Sequence, residues 1–179
     1  MQDNIVIKEL KSSTTQEKAF KNLVDKYKER LYWHIRRIVL DHDDTDDVLQ
    51  NTFIKVYRNI QSFNEDSAIY TWMYRIATNE ALSFLQKRAK FYNASNDELQ
   101  QKMMENLRAD TYFDGDEIQM KLQQAIATLP DKQKLVFNMK YFEELKYEDM
   151  AAILDTSVGA LKASYHHAVK KIEMQLTEL

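Results

Sequence analysis

Between Ala19 and Leu40, apolar residues recur at steps of three and four: Phe20, Leu23, Val24, Tyr27, Leu31, Ile35 and Ile38. That is the spacing of one buried helical face. The polar run DHDDTDD (Asp41–Asp47) then reads as a turn and an N-terminal cap. Its acids suit the positive end of a helix over about Asp46–Ser62, with Leu49, Phe53, Val56 and Ile60 inward. After a loop, FNEDSA, the pattern predicts a third long helix over Ile69–Lys90, in which Ile69, Met73, Ile76, Ala77 and Phe84 share a face. Thr71, Arg75, Thr78 and Asn79 fall on its opposite side.

The periodicity lapses over residues 91–119 and returns after Met120. Met120–Thr128 reads as a helix stopped before Leu129-Pro130, because the residue preceding proline disfavours the helical region. Asp131–Phe142 is predicted helical, with Pro130 suited to its first turn. Tyr147–Leu154 is a brief helix with Met150, Ala151 and Leu154 inward. Asp155, Thr156 and Ser157 then turn the chain into a longer helix over Thr156–Ile172. A short helix, a tight polar turn and a longer helix make a helix-turn-helix pattern, whose second helix enters a major groove in DNA-binding proteins. With Val158, Leu161, Tyr165, Ala168 and Ile172 inward, Ala160, Ala163, His167 and Lys170 point outward. Lys162 and His166 lie on one shoulder, Ser164 and Lys171 on the other. A plain helical hairpin is the competing reading.

Composition supports an all-α fold: two glycines and one proline in 179 residues leave little hairpin-turn chemistry. The expected architecture is two small helical domains, 1–90 and 120–179, the second a helix-turn-helix, joined by a flexible acidic linker, 91–119. A short helix around Glu98–Leu107 is compatible with that linker. The net charge of −3 argues mildly against a protein that coats DNA, since duplex affinity rests on neutralising phosphates. The acid excess is local: residues 91–119 carry seven acids and two bases.

Several chemistries are disfavoured. No cysteine is present, which removes disulfides and thiolate metal sites and fits a cytoplasmic location. No secretory leader and no membrane-spanning run is evident. Read as a calcium loop from Asp41, DHDDTDD places Asp46 where the turn needs glycine and Thr52 where a bidentate Glu belongs. Adjacent His166 and His167 diverge by about 100° on a helix and cannot face one metal. Glycines only at 115 and 159 exclude a glycine-rich phosphate loop, and no catalytic frame stands out. No cofactor and no metal is expected. Tyr70, Trp72 and Tyr74 beside Arg75 combine planar rings with a cation, as single-stranded nucleic acid binders do, although aromatic core packing would give the same pattern.

These pieces together resemble the bacterial sigma-70 family, in its extracytoplasmic-function class. Asp47-Val48-Leu49-Gln50-Asn51-Thr52-Phe53, then Tyr57, is similar to the family's D-L-V-Q-E-x-F with an aromatic four residues on. Ser62-Phe63 and Ile69-Tyr70-Thr71-Trp72-Met73-Tyr74-Arg75-Ile76-Ala77-Thr78-Asn79 resemble F…F-x-T-W-L-Y-R-I-A-x-N. Leu129-Pro130, Tyr147-Glu148-Asp149-Met150-Ala151 and Ser157-Val158-Gly159-Ala160-Leu161-Lys162 are similar to the C-terminal block. The resemblance implies a non-enzymatic subunit of RNA polymerase. By analogy, Asp47, Gln50, Asn51, Phe53 and Tyr57 dock on the clamp helices of the beta-prime subunit of the polymerase core. Phe63, Tyr70, Thr71, Trp72, Arg75 and Asn79 capture the melted minus-ten promoter strand, with an extruded base near Asn79. Ala160, Lys162, Ala163, Ser164, His166, His167 and Lys170 face the minus-35 duplex. An anti-sigma partner is common in the family. Three departures stand out: Asn51 where the family has Glu, Ser164 where arginine is frequent, and His166-His167 within a basic run. The alternative is a stand-alone helix-turn-helix regulator that binds duplex without polymerase.

Overall fold

A computed structural model describes residues 2–92 and 117–177. Its helices are α1 (Gln2–Lys11), α2 (Gln16–Val39), α3 (His42–Asn59), α4 (Ile69–Tyr92), α5 (Glu117–Ala127), α6 (Asp131–Tyr141), α7 (Tyr147–Leu154) and α8 (Val158–Thr177), with a 3-10 turn, Ile60–Ser62, after α3. No strand occurs among the described residues, so the all-α expectation holds. The possible helix at Glu98–Leu107 lies outside the described residues, as does most of the expected linker.

α2, α3 and α4 pack on one another, and α6 and α8 form the centre of a second group with α5 and α7. α2 buries Leu23, Tyr27, Leu31 and Ile35, as its stripe predicts. It stops at Leu40, which turns left-handed (φ 58°) while its N–H bonds to the Arg36 carbonyl at 2.9 Å. α3 starts at His42 rather than near Asp46. Asp41 is extended and its Oδ1 accepts the Asp44 N–H at 3.0 Å, so the acidic run is itself the first turn, with Asp43 and Asp44 at the positive dipole end. The buried stripe of α3 also differs, being Thr45, Val48, Thr52 and Val56, while Leu49 and Phe53 are half-buried. Both threonines are tolerated inside because each hydroxyl bonds back to a carbonyl four residues earlier, Thr52 to Val48 at 2.8 Å.

α1 was not indicated by the periodicity. Its Ile7 and Leu10 are buried, and Lys11 Nζ donates to the Phe63 carbonyl at 2.7 Å, fixing the loop before α4. In the short helix α7, Met150 and Ile153 are the buried residues, while Ala151 and Leu154 sit half-buried at the edge.

α6 has no polar stripe: Lys134 to Met139 are buried in succession. It is clamped between α2 on one side and α8 on the other. A single hydrophobic cluster consequently runs from Leu31, Ile35, Met73 and Ala77 through Val136, Met139, Met150 and Ile153. The two sequence blocks share a core.

Burying Lys134 costs stability. Desolvation pushes its ammonium below the ordinary lysine value, with Asp131, 3.9 Å away, pulling weakly the other way. The folded chain releases this proton before the unfolded chain does, so the cost is full at neutral pH. It fades as pH climbs from the lowered folded value toward 10.5. Lys134→Met is expected to raise stability at pH 7 by about 1 kcal/mol and to abolish this alkaline gain, as urea unfolding across pH will show.

Candidate docking and nucleic-acid surfaces

The first surface is the outer side of α3. Burying Thr45, Val48, Thr52 and Val56 turns Asp47, Gln50, Asn51 and Tyr57 outward, with Phe53 half-buried beside them. Phe20 of α2 meets the Tyr57 ring edge-on at 4.9 Å and the Phe53 ring at 6.3 Å. The result is an aromatic knot flanked by one carboxylate and two amides, suited to an apolar anchor with a polar rim. Ile54, 41% exposed, completes the apolar part. Ile54 belongs to no buried stripe and so carries no signal in the sequence, whereas Phe20 lies in the α2 stripe yet is only half-buried.

The second surface joins the loop at Phe63 to α4. Phe63 is buried, and its ring lies 5.0 Å from Trp72 at 36°. Phe63 therefore supports Trp72 from beneath, while half-buried Trp72 keeps part of its face open. Arg75 and Asn79 are exposed one turn apart on the same side. Thr71 and Thr78, expected on an open face, are instead buried at 2% and 1% exposure. Thr71 is covered by the C-terminal half, where α7 packs across α4 and brings Asp149 to its hydroxyl, and Thr78 is covered by His34 of α2.

That seam is polar. His34 of α2 contacts Glu143 Oε1 through Nδ1 and Thr78 Oγ1 through Nε2, both at 2.8 Å. Thr78 spends its only hydroxyl proton on the Tyr74 carbonyl at 2.8 Å, so His34 Nε2 must donate to it. One further proton then lies between Nδ1 and Oε1. Tyr74 sits against this pair, and burial, followed by the Glu143 charge, pushes its hydroxyl far above the ordinary value. Further along, Thr71 Oγ1 donates to Asp149 Oδ1 at 3.4 Å, and Arg75 Nε donates to the Ala152 carbonyl at 2.8 Å, joined by Nη2. Burial, then Asp149, raises the Tyr70 hydroxyl as well. None of His34, Glu143 or Asp149 was singled out from sequence as a seam residue. His34 and Glu143 are 109 positions apart and carry no local signal.

The third surface is α8. Asp155 adopts a left-handed conformation (φ 49°) that ends α7, and Ser157 Oγ accepts the Ala160 N–H at 3.2 Å to begin α8. Leu161, Ala168 and Ile172 are buried, with Val158 and Tyr165 half-buried. Ala160, Lys162, Ala163, His166, His167 and Lys170 are exposed and Ser164 is half-exposed, the arrangement the periodicity predicted. Lys162 Nζ lies 5.7 Å from the Tyr147 ring of α7, within cation–π reach. Gly159 has nothing within 4 Å of where a Cβ would stand, so the fold does not require it there. Among the described residues, no three His, Asp or Glu side chains converge as a metal would need, and no helix is long and apolar enough to cross a membrane.

Comparison with known proteins adds to this geometry. Residues 23–91 match Sigma-70 region 2, and residues 119–172 match Sigma-70, region 4. The chain is 33% identical over 173 residues to the ECF RNA polymerase sigma-E factor of Haemophilus influenzae, spanning 91% of this chain and 90% of that protein. It is 31% identical over 181 residues to the ECF RNA polymerase sigma factor SigW of Bacillus subtilis, spanning 97% and 96%. Among solved structures, CnrH in complex with the cytosolic domain of CnrY superposes with a TM-score of 0.73 at 20% identity, covering 98% of this chain and 97% of that one. The sigma factor RpoE of Bartonella quintana, in complex with the anti-sigma factor NepR, does so with 0.70 at 20% identity, covering 89% and 98%.

Proposed function

The chain belongs to the sigma-70 family, in its extracytoplasmic-function class, and is a non-catalytic RNA polymerase sigma factor that directs promoter-specific transcription; on that premise we propose how its residues share the work. Residues 1–90 form a core-docking and minus-ten unit, 120–179 a minus-35 unit, and 91–119 a tether between them, all acting in the cytoplasm. The observation that carries this division is the pair of solvent-facing surfaces on α3 and α8, one carboxylate-and-aromatic, the other lysine, histidine and small residues.

On α3, Asp47, Gln50 and Asn51 meet basic side chains of the clamp helices around an apolar contact made by Phe53, Tyr57 and Ile54. On α4, Trp72 stacks a base of the melted strand, Arg75 neutralises a phosphate, and Asn79 hydrogen-bonds an extruded base. On α8, Lys162 and Ser164 reach base edges or phosphates, while Ala160 and Ala163 allow the helix close to the groove floor. His166, His167 and Lys170 flank the backbone. An anti-sigma protein that holds the two units would regulate them. The runner-up, a regulator independent of polymerase, would need affinity that a chain of net charge −3 is poorly equipped to supply.

The division is tested with purified core polymerase and a promoter bearing both elements. Lys162→Ala is expected to lower transcription about tenfold through weaker minus-35 binding. It should leave the affinity for free core polymerase unchanged. A Lys162→Ala chain that lost core binding instead would contradict the assignment of α8.

A further inference from the structure

We infer that the groove between α2, α4 and α6 is a binding site for an aliphatic carboxylate with an N–H donor beside it, the chemistry of an N-acyl amino acid. A cavity of about 810 Å³ opens there, between the end of α2, the second half of α4 and the start of α6. That volume is in the range of small-molecule sites. Its apolar wall is Ile38, Leu82, Leu85, Leu129 and Leu135, and no aromatic ring lines it among the described residues, so it suits a flexible acyl chain better than a planar ligand. Neither the cavity nor its polar groups belong to the three surfaces described above.

Two polar groups of α6 make this a built site rather than a packing gap. Lys134 and Asn138 stand one helical turn apart on the same face, both line the cavity, and they are 9% and 3% exposed. Among the described residues, Lys134 Nζ pairs only with Asp131, which is 87% exposed and, at 3.9 Å, beyond hydrogen-bond length. Asn138 Nδ2 donates to the Arg37 carbonyl at 3.4 Å, which fixes the amide and leaves Oδ1 without a hydrogen-bond partner among the described residues. A buried ammonium with no close anion and a buried acceptor with no donor call for a carboxylate and an N–H in one molecule. Arg37 and Lys90 add positive charge to the lining, against the single acid Asp131, and so favour an anion further. Burial holds the Lys134 ammonium below its ordinary value, and a carboxylate beside it offsets that desolvation. Because the walls come from both sequence blocks, a bound molecule stabilises the folded chain by linkage.

The probe is N-decanoylglycine, titrated into the full chain by calorimetry, with thermal unfolding measured in parallel. Saturable one-to-one binding and a raised melting temperature are expected. The methyl ester, which lacks the charge, should bind about tenfold more weakly, and N-decanoylsarcosine, which lacks the N–H, about fivefold more weakly. Lys134→Met is the decisive variant, because it is expected to gain stability while its affinity for the probe falls about ten- to a hundredfold. That combination separates a ligand contact from a structural role. Lys132→Met, at an exposed position on the same helix, should bind as the parent does. No saturable binding would overturn the site. Equal affinity for the acid and its methyl ester, or equal affinity of the parent and Lys134→Met, would overturn Lys134 as the anion partner. Equal affinity for the sarcosine and glycine compounds would overturn the donor to Asn138.

Discussion

Trp72→Ala is expected to reduce open-complex formation by about ten- to a hundredfold, since alanine replacement at a base-stacking aromatic removes about 1–3 kcal/mol. The ring is half-buried and braced by Phe63 at 5.0 Å, so its plane is set before any base arrives and little ordering remains to be done on binding. Trp72→Phe keeps a stacking face and should recover most of the activity. Permanganate footprinting of the melted strand, with core binding measured in parallel, separates this effect from loss of docking. A Trp72→Ala chain that opens promoters normally would remove α4 from strand capture.

The second large effect concerns α3. Asp47→Lys combined with Tyr57→Ala is expected to weaken binding to core polymerase by about thirtyfold or more, the loss associated with removing an interface hot spot. Both positions are exposed and outside the buried stripe, so the stability cost is confined to the edge-on Phe20–Tyr57 contact and urea unfolding should move by about 1 kcal/mol. Fluorescence anisotropy of the labelled chain titrated with core polymerase reads the affinity. Unaltered affinity would show that the docking surface lies elsewhere.

The fold was legible where its determinants are local. The α2 stripe and the α7–Asp155–α8 unit depend on apolar spacing and turn residues a few positions apart, and both appear where the spacing puts them. The outward side of α8 was readable for the same reason. The start of α3 is hidden because a run of five aspartates within seven residues looks like a loop. Asp41 makes it a capped first turn instead. Its stripe is hidden because Thr45 and Thr52 look polar in sequence yet satisfy their hydroxyls on their own helix. α1 gives little signal because Val6, Ile7 and Leu10 make too short a pattern.

Sequence spacing located the site residues but not their accessibility. Thr71 falls on the outward side of a helix considered alone, and α7 buries it. The contacts responsible, His34 with Glu143 and Thr71 with Asp149, span 109 and 78 positions. Periodicity cannot report such pairings, because it describes one helix at a time. The continuity of the core through Met139, Met150 and Ile153 was hidden for the same reason, since α6 is buried all round and shows no amphipathic signature.

The central claim is tested most directly by run-off transcription with purified core polymerase on a library of promoters. The account predicts transcripts from a defined subset of promoters, sharing a minus-ten and a minus-35 element, only when core polymerase and this chain are both present. Sequence-specific duplex binding by the chain alone, with no promoter-dependent transcript from any of several bacterial cores, would contradict it.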